Sequence, residues 1–170
     1  MKNVVLIGMP GTGKSAVGRA LAKRLHYTFL DADDLIREDT GHTLPEILRT
    51  EGIEGFLTVE GRVGEALRCE DTVIATGGSM VLSEKAMEHL KKNAVVVWLE
   101  TPLSKLKERL PDELTDRGIA APPGTRVEEL YAEREPLYAQ YADVVILSCE
   151  GETEAADRVE QVLHAAGFSL

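Results

Sequence analysis

Gly8-Met9-Pro10-Gly11-Thr12-Gly13-Lys14-Ser15 decides how this chain is read. The octapeptide fits G-x-x-x-x-G-K-[ST], and it stands where that pattern has mechanical meaning, between an apolar run, Val4 to Ile7, and a segment with helical spacing. Glycines let successive backbone N–H groups wrap phosphate oxygens, and the helix start behind them adds the positive end of its dipole. Gly8, Gly11, Thr12, Gly13, Lys14, Ser15 and Ala16 are therefore the expected nucleotide contacts. Lys14 would reach the β- and γ-phosphates of ATP, and the Ser15 hydroxyl would ligate Mg²⁺. The alternative is a glycine-rich turn with a surface lysine, which would have no need of a strand before it and a helix after it.

Outward from this loop, five apolar, β-branched runs punctuate the chain: Val4 to Ile7, Tyr27 to Leu30, Thr72 to Ala75, Val95 to Leu99 and Val144 to Leu147. Nearly continuous hydrophobicity suggests strands covered on both faces, as in a parallel sheet. Between them Ala16, Ala20, Leu21 and Leu25 recur at helical spacing, and Leu44, Ile47 and Leu48 form another stripe. Alternating strands and helices predict a three-layer α/β/α domain. The stretch from Pro111 to Gly124 has breakers at both ends and little periodicity, and it reads as a long loop of the kind that serves as a mobile lid.

With 170 residues, 44% of them hydrophobic, the chain is long enough for one core and short for two, so a single domain over 1–170 is expected. A formal charge of −10 opposes binding along a phosphate backbone, so no nucleic-acid partner is expected. Val4 to Ile7 is too short for a signal peptide or a membrane span, which predicts a cytoplasmic protein without membrane contact. Cys69 and Cys149 lie far apart without metal-type spacing and read as reduced thiols. A monomer is the expected state.

Two further clusters should emerge at the sheet edge that receives the nucleotide. Asp31-Ala32-Asp33-Asp34 follows the second strand, and phosphoryl transfer needs acids there, one near Mg²⁺ and one to orient or deprotonate the attacking hydroxyl. A capping role, with Asp33 or Asp34 as N-cap of the next helix, competes with this reading. Thr76-Gly77-Gly78-Ser79 ends the third strand, where paired glycines admit a ligand close to the backbone; a simple turn is the bland reading.

Taken together, the phosphate loop, Asp31-x-Asp33, Gly77-Gly78, the arginine-bearing loop and Arg134-Glu135-Pro136-Leu137-Tyr138 resemble the shikimate kinase family over nearly the whole chain. The resemblance implies a five-stranded parallel sheet in the order 2-3-1-4-5, a mobile lid at about 111–124, and transfer from ATP to shikimate in aromatic amino acid biosynthesis. It assigns Asp33 as the favoured base and a substrate contact, Asp31 to Mg²⁺ and Arg117 to the transferring phosphoryl group. Gly77 and Gly78 fall on the substrate side, Arg134 on the substrate carboxylate and Arg109 on adenine. Three positions depart from the family pattern: Leu57 replaces an arginine of Phe-Arg, Ser79 replaces a third glycine, and Gly118-Ile119 replace Pro-Leu. Arg62 lies five residues along the helix from Leu57, a rotation of roughly 140°, and is badly placed to substitute. Because these changes touch the acceptor side, a kinase for another hydroxy acid, sugar acid or amino-alcohol, or an ATP-binding regulatory module, stands as the alternative.

Overall fold

In a computed structural model, which describes residues 2–148 and 151–168, five strands form one parallel sheet. They are β1 (Asn3–Ile7), β2 (Thr28–Asp31), β3 (Thr72–Ala75), β4 (Ala94–Glu100) and β5 (Val144–Leu147), ordered β2-β3-β1-β4-β5. This is the expected order. Every residue of β1 is buried, because β1 is the central strand, paired with β3 on one side and β4 on the other.

Alternation along each strand sends side chains into two separate cores. Val4, Leu6, Val95 and Val97 face α1 (Lys14–Leu25) and α7 (Glu152–Ala165), meeting Leu21, Val159 and Leu163. On the other face Val5, Ile7, Ile74 and Val96 meet α4 (Glu84–Lys91), α5 (Leu103–Arg109) and α6 (Val127–Tyr141) through Met87, Leu106 and Tyr138. Coverage on both faces explains the lack of alternating polarity in β1, β3 and β4, whereas the edge strand β5 exposes Val145 and Leu147. Gly18 brings α1 close to the sheet: a Cβ there would stand 2.6 Å from the Phe29 ring.

A third, smaller core lies beside the sheet, between α2 (Ala32–Thr40) and α3 (Leu44–Ala66). It gathers Ile36, Leu44, Ile47, Phe56 and Ala120, with Leu57 packed against it. A capping box starts α3: the Thr43 side chain accepts from Glu46 N, and Glu46 accepts from Thr43 N. Gly52, at φ 74°, breaks α3 into two helical pieces, a backbone angle that favours glycine. No helix among the described residues is long and apolar enough to cross a membrane. Cys69 is a free, half-buried thiol, and Cys149 lies outside the described residues.

The stretch 111–124 is more structured than its composition suggests. It contains a 3₁₀ turn, Leu114–Arg117, and buries Leu114, Ile119, Ala120 and Ala121. Isolated apolar residues among breakers carry no periodicity, so this packing leaves no helical or strand pattern to read.

Candidate active site

The C-terminal edges of the five strands open into a cleft of about 710 Å³. This is the edge at which parallel α/β sheets place ligands. The loop after β1 forms its floor. Gly8, Gly11 and Gly13 all have φ between 85° and 148°, and a Cβ on Gly8 would stand 2.6 Å from the Leu99 carbonyl oxygen. Side chains are thus excluded where the backbone must curl. The Lys14 ammonium is buried, donating to the carbonyls of Gly8 at 2.7 Å and Met9 at 2.8 Å. Burial pulls it down to about 8, against the opposing pull of Asp33. Nearby, Arg109 at the end of α5 donates to Gly11 O at 2.9 Å, which places its guanidinium on the rim of the phosphate loop.

The chain turns into α2 directly after Asp31, so the two acids of Asp31-x-Asp33 separate in function. Asp31 is the N-cap: its Oδ1 accepts from Asp33 N at 2.9 Å, while its Oδ2 accepts from the Ser15 hydroxyl at 2.5 Å. The competing reading, in which Asp33 or Asp34 caps α2, is corrected here. Asp31 holds the extended conformation a cap requires, whereas Asp33 and Asp34 are already inside the first turn. Asp33 is left free to face the cleft. Burial and the neighbouring Asp31 push its carboxyl above the usual range, partly opposed by Lys14.

Gly77 and Gly78 allow close approach on the far side of the cleft. A Cβ on Gly77 would stand 2.6 Å from Glu60 Oε2 and 2.9 Å from Asp33 Oδ1, so two carboxylates converge over one glycine. A Cβ on Gly78 would stand 2.7 Å from Pro10 and 3.2 Å from Arg134 Nη1. The Tyr138 hydroxyl donates to Gly78 O at 2.7 Å and fixes this turn against α6. Arg134 is 1% exposed, donates from Nη2 to Ala120 O at 2.8 Å, and has no partner for Nε. A buried guanidinium with spare donors and, among the described residues, no ion-pair partner is suited to an anionic ligand.

Arg117 ends the 3₁₀ turn, lines the cleft, and donates to Arg109 O at 3.4 Å. Gly118 follows it at φ 81°, with a Cβ position 2.6 Å from the Leu44 Cβ, so backbone angle and space both call for glycine. Leu57 sits with the small third core rather than lining the cleft, and Arg62 is exposed, paired with Asp39 at 2.5 Å. Arg62 therefore does not take the place left by Leu57, as its rotation along the helix implies.

Sequence reasoning missed Glu60. It lies on α3, 2% exposed, accepting from the Ser79 hydroxyl at 2.5 Å, and burial pushes its carboxyl up to about 7. The signal was available: Glu60 is four residues from Phe56 on the inward stripe of α3, a place where an unpaired acid is costly. Ser79 departs from a run of glycines, and the structure ties that departure to Glu60.

For a divalent cation, Ser15 and Asp31 offer oxygen donors within hydrogen-bond reach of one another beside the phosphate loop. No group of three or more His, Cys, Asp or Glu side chains arranged for a metal occurs among the described residues. One hydroxyl and one carboxylate suit Mg²⁺, which commonly completes its shell with water and substrate phosphates.

The shikimate kinase family model matches residues 10–165. A Synechococcus shikimate kinase is 38% identical over 165 residues, covering 95% of this chain and 86% of that protein. One from Symbiobacterium thermophilum is also 38% identical, with 95% and 94% covered. Among solved structures, the shikimate kinase from Acinetobacter baumannii in complex with shikimate superposes with a TM-score of 0.86 at 31% identity, covering 99% of this chain and 96% of that one.

Proposed function

The chain belongs to the shikimate kinase family, and from that premise we propose that its cleft transfers the γ-phosphoryl group of ATP to a hydroxyl of shikimate, giving shikimate 3-phosphate. It is an ATP-dependent kinase with a hydroxyl acceptor. The observation that carries the acceptor reading is the pair of Asp33, whose carboxylate takes no part in the cap, and Arg134, buried with spare donors, both lining the cleft.

Each residue then has a distinct task. Backbone N–H groups from Gly11 to Ala16 bind the phosphates, and Lys14 exchanges its carbonyl partners for phosphate oxygens. Ser15 and Asp31 would hold Mg²⁺, which supplies charge neutralisation on the phosphates when bound. Arg134 takes the shikimate carboxylate, Gly77 and Gly78 let the ring approach the backbone, and Asp33 accepts the proton of the attacking hydroxyl. A carboxyl already raised by burial is better matched to that proton than an exposed one. Arg117 contributes positive charge near the transferring group, and Arg109 lies where the adenine side of the nucleotide would pass. Titrating shikimate at saturating ATP with Mg²⁺ tests the reading: acceptor-dependent ADP release is expected, and its absence would contradict it.

A further inference from the structure

Glu60 is 2% exposed, and among the described residues it forms no ion pair; Arg134 and Lys14 act on it only from a distance, and burial outweighs them. Among the described residues its hydrogen bond is the one from Ser79 to Oε1, which leaves Oε2 facing the space above Gly77 that Asp33 Oδ1 also faces. Leu57, three residues earlier on α3, contributes a methyl-bearing side chain to the third core, and Arg62 is turned outward to Asp39. Lys14 is held by the phosphate loop, and Arg134 reaches Ala120 and the Gly78 turn. The acceptor side therefore has two carboxylates and one guanidinium. A buried acid is made tolerable either by a proton or by a cation, and this one is poised between the two states near neutral pH. Shikimate brings only negative charge. A ligand carrying an ammonium as well as a carboxylate would complete the balance.

We propose that the acceptor site also takes a small hydroxylated α-amino acid, with its ammonium against Glu60, its carboxylate against Arg134 and its hydroxyl directed to Asp33. Ser79 is the positioning residue, because its hydroxyl occupies Oε1 and leaves Oε2 for the ammonium. In the transfer the acceptor oxygen bonds to the γ-phosphorus, the bond from that phosphorus to the bridging oxygen breaks with its electron pair leaving on ADP, and the hydroxyl proton passes to Asp33. The inference rests on the kinase reading of the cleft but not on shikimate being the sole acceptor.

L-homoserine and L-threonine, assayed for ADP release beside shikimate, test it. At least one amino acid should support acceptor-dependent turnover. In Glu60→Gln the ratio of kcat/KM for that amino acid to kcat/KM for shikimate should fall by about tenfold or more. Independently of any variant, the same ratio in the wild-type protein should fall as pH drops through about 7, because Glu60 gains a proton while the ammonium keeps its charge. Asp33 and Lys14 also face Glu60, as do Arg134 and, by charge, Tyr138; Asp33 and Lys14 act on both acceptors and divide out of the ratio. Turnover of shikimate with neither amino acid used would overturn the inference and leave the kinase reading intact. A ratio unmoved by Glu60→Gln and by pH would remove Glu60 from the site. No acceptor-dependent turnover at all would instead bring down the kinase reading itself.

Discussion

At Asp31 the backbone turns from strand to helix, and that turn decides which carboxylate is free to act. Asp31 spends one oxygen on Asp33 N and the other on Ser15. Asp33, the second residue of the helix, keeps its carboxylate for the cleft. Asp33→Asn should therefore lower turnover by about 100-fold or more while leaving the cap of α2 in place, as steady-state kinetics and thermal unfolding together would show. A loss of melting temperature with turnover unchanged would point to a structural role. Lys14→Ala should abolish measurable transfer with the fold retained, because the reaction depends on charge held at the phosphates; near-normal turnover in a folded variant would contradict the phosphate-loop assignment. The acids after β2 were legible as a pair, but their division of labour was not, since it depends on the one residue at which the helix begins. Glu60 was legible in principle, four residues from Phe56 on the same helical piece beyond Gly52, but apolar residues also stand between them and hide the inward stripe.

Among the elements, the segment 111–124 shows how much a breaker-rich sequence conceals. Its Pro and Gly residues announce a connection, while Ala120 packs into the core of α2 and α3 and Leu114 and Ile119 into the core that also holds Leu106 and Tyr138, contacts that no local pattern encodes. Gly118 is the stress point. Gly118→Ala should destabilise the protein by about 1–3 kcal/mol, measured by denaturant unfolding, because it forces a β-carbon onto Leu44 at a φ that disfavours one. Unchanged stability would mean that the segment does not pack on α3 as described. Arg117 lies one residue earlier and lines the cleft, where the proposed mechanism gives it a part in the chemistry. Arg117→Ala should lower kcat more than it raises KM for ATP, since a cation near the transferring phosphoryl group acts on charge that develops in the transition state. The reverse pattern would assign Arg117 to ground-state binding. The parallel sheet, in contrast, was legible almost strand by strand, because strands buried on both faces are apolar throughout and differ from the helices between them.

The molecule as a whole is acidic, with a formal charge of −10, yet Lys14, Arg109, Arg117 and Arg134 all line one cleft. Positive charge is concentrated where phosphates and carboxylates would bind, and negative charge is spread elsewhere. Glu60 breaks this arrangement and should impose a pH-dependent cost on folding. Its folded-state pKa is about 7 against 4.5 for an unperturbed carboxyl, so the folded state binds more protons between these values and stability falls as pH rises through that window. The cost is absent below about 4.5 and complete above about 7, at roughly 3 kcal/mol. Glu60→Gln should thus unfold at a higher temperature than wild type at pH 8, with the gap narrowing toward pH 5; an equal gap at both would mean that Glu60 is not held in a desolvated site. The fold rests on the apolar strands and the nucleotide side on one octapeptide, whereas the acceptor side is assembled from α2, α3, the turn after β3, the segment 111–124 and α6. Residues that far apart in sequence meet only in three dimensions, which is why the departures at Leu57, Ser79 and Gly118 gained meaning only from their contacts. The central claim, that this cleft is a kinase site for shikimate, is tested most directly by measuring ADP release from ATP and Mg²⁺ across a shikimate titration. The account predicts saturable, shikimate-dependent release that disappears in Lys14→Ala; ADP release that is the same with and without shikimate would contradict it.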